Sequence, residues 1–339
     1  MDADIALILL QDGIVNGAVY AILALSLVLV FAVTRVILIP MGELVAFGGL
    51  TDAALQAGRV PGSLLLLGGL AAAACLAGAV QDRRVGASLL LETVALPGVV
   101  AAATLLLAPA HPGPVLAALL SVAIVAPMAA YLYRIAFEPL ARASVLVLLI
   151  ASVGVHLALN GLGLVFFGPE GFRAAGFSAA RFLVGGLLVP GQALWIVGLS
   201  VLTMAGLALF FARTLTGKAL RATAINRLGA RLVGISTALA GRTAFALAGL
   251  IGATSGVLIV PLTTLYYDSG FLIGLKGFVA AIIAGLASYP VAAGAALLVG
   301  CVESFSSFYA SAFKEVIVFT IIIPVLLWRS LRSPAEEEE

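Results

Sequence analysis

Charge is what this sequence has least of. Only 10% of its 339 residues are charged, 18 basic and 16 acidic, where a soluble domain carries about 25%. The deficit excludes an ordinary soluble fold, because 63% of the chain is hydrophobic and the mean hydropathy is +1.22. A net charge of +2, with no basic stripe interleaved with aromatics, argues against a nucleic-acid partner. The two cysteines, Cys75 and Cys301, lie far apart inside apolar runs and make neither a disulfide framework nor a metal site. With two histidines only, His111 in an HPGP turn and His156 in an apolar run, a histidine-rich metal cluster is excluded as well. The first residues, MDAD, carry no base, so they are not the basic start of a signal peptide.

What the chain has is long apolar runs. They fall near 13–33, 36–57, 62–80, 88–108, 114–133, 145–167, 190–212, 243–262, 274–304 and 315–331. About 20 residues suffice to cross a bilayer. Backbone groups in lipid need internal partners, and these runs lack the two-residue alternation of barrel strands, so they are helices. The expected fold is all-α: a polytopic membrane helix bundle of about eight to ten transmembrane or re-entrant helices, one membrane domain over 1–339 in contact with lipid. A basic loop at about 213–242 and an acidic tail at 335–339 lie outside the bilayer.

Bases orient the bundle. Arg213, Lys218, Arg221, Arg227, Arg231 and Arg242 follow one another without an acid between them, which marks a cytoplasmic loop. Counting spans backward puts Arg134, Arg142, Arg83, Arg84 and Arg35 on the same side, and Arg59, Arg173 and Arg181 on the other. Counting forward, the C-terminus returns to the cytoplasm if Ser288-Tyr289-Pro290 breaks the run 274–304 into two arms. Pro290 lacks a backbone donor and disfavours helix at Tyr289.

The stretch GKALRATAINRLGARLVGIST reads as one short helix over about 218–232, closed by Gly234. In such a helix Ala222, Asn226 and Ala230 share a face, and Arg227 and Arg231 share another. Small residues admit a partner's backbone, and Arg221, Arg227 and Arg231 can bond its carboxylates and carbonyls. An ordinary basic loop lying near lipid head groups would look the same.

This stretch also carries a resemblance. RATAINRLGARLVGI at 221–235 resembles the cytoplasmic coupling loop of bacterial ABC importer permeases for branched-chain amino acids, the LivH type. GIVNGAVYAILALSLVLVFAVTRV at 13–36, GELVAFGG at 42–49 and LIASVGVHLALNGLGLVFFGPE at 149–170 are similar to further family blocks. So are DSGFLIGLKGFVAAIIAGLASYPVA at 268–292 and EVIVFTIIIPVLLWRS at 315–330. The blocks keep the family's order over about three-quarters of the chain. Two turns depart from it: Ile39-Pro40-Met41-Gly42, and Glu138-Pro139-Leu140-Ala141 where the family has an Arg-Pro-Leu-Arg run. Residues about 83–125 read as an added hairpin.

The resemblance implies a permease subunit in the bacterial inner membrane, working with a second permease subunit, two cytoplasmic ATPases and an external solute-binding protein. It implies an amino-acid substrate and no cofactor in this chain, with ATP used by the partner subunits. TGKAL at 216–220 is no P-loop, since Ala212 stands where the first Gly is needed and Ala219 where Ser or Thr is needed. Neither an HExxH nor a GxSxG motif occurs, so no catalytic residue, metal site or enzymatic activity is expected.

Polar residues inside spans are costly in lipid, which makes them candidates for the path. Asp12, Asn16 and Tyr20 recur every four residues on the first helix, and His156 and Asn160 are four apart. Asn16, Glu43, Asn160 and Glu303 are the expected path residues; bonds that merely seal the bundle are the plainer use of such groups. The rival function is an ion-coupled secondary transporter using Glu43, Glu92 or Glu303. Interrupted helices at Gly42-Glu43 and at Ser288–Pro290 would suit alternating access in either case.

Overall fold

The computed structural model describes residues 3–82, 86–184 and 186–332. In chain order the helices are α1 (Ala3–Thr34), α2 (Met41–Gln56), α3 (Ser63–Asp82), α4 (Ala87–Leu90), α5 (Leu96–Leu107), α6 (Pro114–Leu132) and α7 (Val145–Phe167). A small antiparallel hairpin follows, β1 (Arg181–Val184) and β2 (Leu187–Pro190), with Arg181 opposite Pro190. Then come α8 (Gly191–Arg213), α9 (Leu215–Ile225), α10 (Arg227–Leu232), α11 (Thr237–Ile259), α12 (Ser269–Ile283), α13 (Tyr289–Tyr309), α14 (Lys314–Thr320) and α15 (Ile322–Arg332). A π-helical turn joins α4 to α5, and another extends α6 to Phe137. Among the described residues, nine helical segments are long and apolar enough to cross a membrane. The protein is thus an all-α, multi-pass membrane bundle.

One expected run is corrected, and another breaks where its proline predicts. The run 36–57 is helical only from Met41. Arg35, at φ 63°, turns the chain out of α1, and residues 35–40 form an irregular strap whose Ile39 N–H donates to Ser152 Oγ at 3.0 Å. The run 274–304 is two helices. Gly285 (φ 67°) and Leu286 (φ 55°) close α12, with Leu286 N–H donating to Ala281 O at 2.9 Å, and Pro290 lies in the first turn of α13. The break falls beside the proline that predicts it.

Tight contacts centre on α1, α2 and their partners. A Cβ added at Gly17 would meet Leu297 Cα at 2.8 Å, and one at Gly300 would meet the Gly13 carbonyl oxygen at 2.4 Å, so α1 and α13 touch backbone to backbone. One at Gly256 would fall 1.9 Å from the Val45 oxygen, and one at Gly42 2.2 Å from the Gly270 oxygen. Helix α2 is thereby wedged between α11 and α12, and every residue from Met41 to Leu55 is buried. Without an oil–water difference between helices in lipid, such close approach and its dispersion contacts hold a bundle together. Of the segment read as an added hairpin, α5 is half exposed and little buried, whereas α6 packs into the core, where Ala126 O would lie 2.3 Å from a Cβ at Gly249.

Threading puts Arg59, Arg173 and Arg181 at one end of the bundle. There Gly58 abuts His111, and Phe172 pairs with Leu265 in an isolated bridge. At the other end are Arg35, Arg134, Arg142, the basic loop and the α12–α13 break. These are called outer and inner below, following the distribution of bases. Arg83, Arg84 and the tail at 335–339 lie outside the described residues.

Candidate functional site

Near the outer end, a cavity of about 390 Å³ opens between α1, α12, α13 and α14. Its polar wall is built around one lysine. Lys276, 5% exposed, donates to Glu303 Oε1 at 2.5 Å and to Glu315 Oε1 at 3.1 Å. The Tyr20 hydroxyl donates to Glu303 Oε2 at 2.6 Å, and the lysine nitrogen lies 6.0 Å from the Tyr20 ring centroid. Four elements therefore contribute to one ionic cluster. An unpaired charge would not be retained at such a depth, and each of these charges has a counter-charge in contact. Glu315 Oε2 is buried without a hydrogen-bond partner, leaving an acceptor open. Asn16, Thr263 and Thr264 add neutral donors and acceptors to the lining. A cavity with both signs of charge and neutral polar groups on an apolar wall suits a small dipolar solute.

Of the expected path residues, the structure brings Asn16 and Glu303 together here, and not the other two. Glu43, 1% exposed, shares a hydrogen bond of 2.6 Å with His156 Nδ1, and Phe271 covers that ring at 4.7 Å between centroids. This bond ties α7 to α2. Asn160 lies one turn further along α7, partly exposed and away from the cavity. The carboxylates considered for ion coupling occupy three separate surroundings: Glu43 with His156, Glu303 with Lys276, and Glu92 exposed on the π turn before α5. Lys276 and Glu315 escape a reading of the sequence alone. Lys276 sits in GFLIGLKGFVAAII, and a lone lysine in such a run is the signal that would have marked it.

At the inner end, the stretch expected as one helix over 218–232 is two. Asn226 leaves the helical region (φ −146°, ψ 99°), and its Oδ1 accepts the Gly229 N–H at 2.8 Å, capping α10. An asparagine that can bond backbone locally competes with helix continuation. Ala222, Asn226 and Ala230 therefore share no helical face, and Ala230 is buried at 4% exposure. The Arg227 guanidinium donates to Ala141 O at 3.1 Å, while Arg221 and Arg231 are exposed. Gly234 (φ 85°) ends the stretch as expected. Glu138 holds Arg242 through two bonds of 2.7 and 2.8 Å, so the Glu138–Ala141 turn anchors both flanks of the basic loop. Beside Arg221 and Arg231 the elbow of α9 and α10 presents aliphatic side chains outward: Ile225 at 83%, Leu228 at 67% and Leu232 at 80% exposure.

A membrane bundle with a solute-sized polar cavity near one end and an exposed, acid-free elbow at the other has the layout of a transport permease. The chain belongs to the family described as "Branched-chain amino acid transport system / permease component", which matches residues 9–326. It is 29% identical over 207 residues to the high-affinity branched-chain amino acid transport system permease protein BraD of Pseudomonas aeruginosa, covering 58% of this chain and 66% of that protein. Similarity to the permease protein LivH of Salmonella typhimurium and of Escherichia coli is also 29%, over 203 residues, covering 57% of this chain and 65% of each relative. The chain thus spans just under two thirds of the length of these curated relatives. A transport permease is not an enzyme class.

Proposed function

We propose that the chain is the membrane-spanning permease subunit of an ATP-driven importer of branched-chain amino acids or related small solutes, in the bacterial cytoplasmic membrane. A second permease subunit completes the path, an external solute-binding protein delivers the amino acid to the outer cavity, and two cytoplasmic ATPases supply the energy. The chain needs no cofactor; ATP is consumed by those partners.

The observation that carries this reading is the elbow. Ile225, Leu228 and Leu232 are exposed on short helices beyond the ends of the spans, in a loop whose charges are all basic. Exposed apolar side chains rimmed by charge mark a protein partner. Helix α9 is also packed closely on the end of α8, since a Cβ at Gly217 would lie 2.3 Å from the Phe210 oxygen. Motion of a partner docked on the elbow would therefore pass into α8 and the helices beside it. Arg221, Arg227, Arg231 and the backbone around Ala222 frame that surface, with Asn226, Ala230 and Gly234 setting its shape.

The test is Leu228→Asp with Leu232→Asp in cells carrying the whole importer. Copurified ATPase and amino-acid uptake should fall at least tenfold together, with membrane insertion and melting temperature unchanged. Wild-type copurification and uptake would end this reading. Uptake by the chain alone, driven by an ion gradient, would replace it with the ion-coupled transporter.

A further inference from the structure

A second polar cavity, of about 410 Å³, lies at the inner end where the close of α1, the elbow helix α9, α8 and the α12–α13 break converge. Its polar lining includes Arg35, Arg221 and Tyr289, and it contains no acid. Neither arginine has a carboxylate partner among the described residues, in contrast to Arg242, which Glu138 holds. Leu29, Val33 and Leu220, all buried, form an apolar floor, and Phe211 stacks on Tyr289 at 5.9 Å between ring centroids. Among the described residues only three non-glycine positions have positive φ, namely Arg35, His111 and Leu286, and two of them border this space. Left-handed backbone is unfavourable at non-glycine residues and persists where the surroundings hold it in place. Here it turns Arg35 back from the end of α1, with its guanidinium 5.7 Å from the Phe31 ring centroid.

We propose that this cavity binds a phosphate-bearing anion. Guanidinium groups offer planar forks of N–H donors that match phosphate oxygens in pairs, and two arginines, both solvent-accessible, line this one acid-free space. Tyr289, also in the lining, carries a further donor in its hydroxyl. The apolar floor beneath the arginines matches the glycerol and first acyl carbons of a phospholipid, and the basic end of a bundle faces the leaflet where anionic lipids are drawn to arginine. A free phosphate ion would meet the same donors without using the floor. Bound there, the anion joins the end of α1 to α9 and so braces the elbow against the bundle. This site is independent of the transported solute.

The experiment is native mass spectrometry of the full chain released from nanodiscs of equal parts phosphatidylglycerol and phosphatidylcholine. Wild type should retain phosphatidylglycerol preferentially, and Arg35→Gln with Arg221→Gln should lower that adduct at least tenfold. Arg59→Gln with Arg181→Gln, at the outer end, should leave it unchanged. Arg221→Gln alone, a helical surface position that accepts glutamine, should lower it severalfold and covers the case in which the double variant fails to fold. In a second arm, millimolar inorganic phosphate is added to the detergent-solubilised protein. If phosphate displaces the lipid and raises the melting temperature only when the arginines are present, the site takes the free ion. If it does neither while the lipid adduct depends on the arginines, the ligand is the lipid head group. Equal phosphatidylglycerol retention in wild type and arginine variants, with no arginine-dependent phosphate shift, would overturn the proposal.

Discussion

Helices α2 and α7 are both rich in apolar residues and glycine, and they are held in opposite ways. In α2, Gly42, Gly48 and Gly49 all face neighbouring backbone or side chains within 3 Å of an added Cβ. In α7, Gly154 and Gly161 face open space, and only Gly163 meets a neighbour, Phe47, at 3.0 Å. Polar bonds tie α7 instead: His156 to Glu43 and Ser152 to the strap. Glycine in an apolar run is therefore no sign of close packing by itself; what stands opposite decides. The core is set by fit, where a single carbon is too many. The rim is set by a few directional bonds that can be made and broken.

The sharpest way to break this distinction is to add bulk on both sides of it. Gly256→Leu must displace the Val45 carbonyl, and overpacking against rigid backbone should cost more than about 4 kcal/mol. Monodisperse protein on size exclusion in mild detergent should all but vanish. Gly161→Leu should stay within about 0.5 kcal/mol of wild type, and equal losses from the two would erase the contrast. A smaller effect is expected from Lys276→Met, which leaves Glu303 and Glu315 without their shared cation at a cost of about 3–5 kcal/mol. Its melting temperature and uptake should both drop, and adding Glu303→Gln should restore part of the melting temperature, because one of the stranded charges is gone.

Glu43→Gln weakens the short bond to His156 Nδ1 and should cost about 1–3 kcal/mol. The sign that it loosens the rim is faster hydrogen exchange over 145–167 with 289–309 unchanged; equal acceleration of both would mean that α7 belongs to the core. Smallest of all, Asn226→Ala removes the α10 cap at about 1 kcal/mol. Exchange should rise over 227–232 while the global melting temperature holds.

Local chemistry accounts for which features are legible in the sequence. Lipid forces each long apolar run to be helical, and Pro290 punctuates the α12–α13 break, so both are readable residue by residue. The basic loop is readable as charge. Its bend at Asn226 is hidden, because the alanine spacing of 222, 226 and 230 mimics a continuous helix while one side-chain bond decides otherwise. The strap at 35–40 is likewise masked by its apolar residues. In the outer cavity, Glu303 and Asn16 stand out as isolated polar groups, yet their meeting depends on pairings 283 residues apart in the case of Tyr20 and Glu303. Lys276 becomes significant only when Glu303 and Glu315 are seen on either side of it, and Glu43 is explained by a histidine 113 positions away. Sequence separation hides such partners; composition cannot reveal them.

The enclosure of α2 has a consequence for the surrounding membrane. Its 16 residues, at 1.5 Å of rise each, span about 24 Å, less than the ~30 Å of a typical hydrocarbon layer. A helix of that length in contact with lipid would pull the leaflets inward or recruit neighbours. Sheathed by protein on all sides, α2 exerts no such pull, and the bilayer's thickness is felt by the helices that face lipid, among them the 23-residue α7 and α8. A change in bilayer thickness would therefore be met first by the lipid-facing helices, and the Glu43–His156 bond is where one of them, α7, is tied to the enclosed α2.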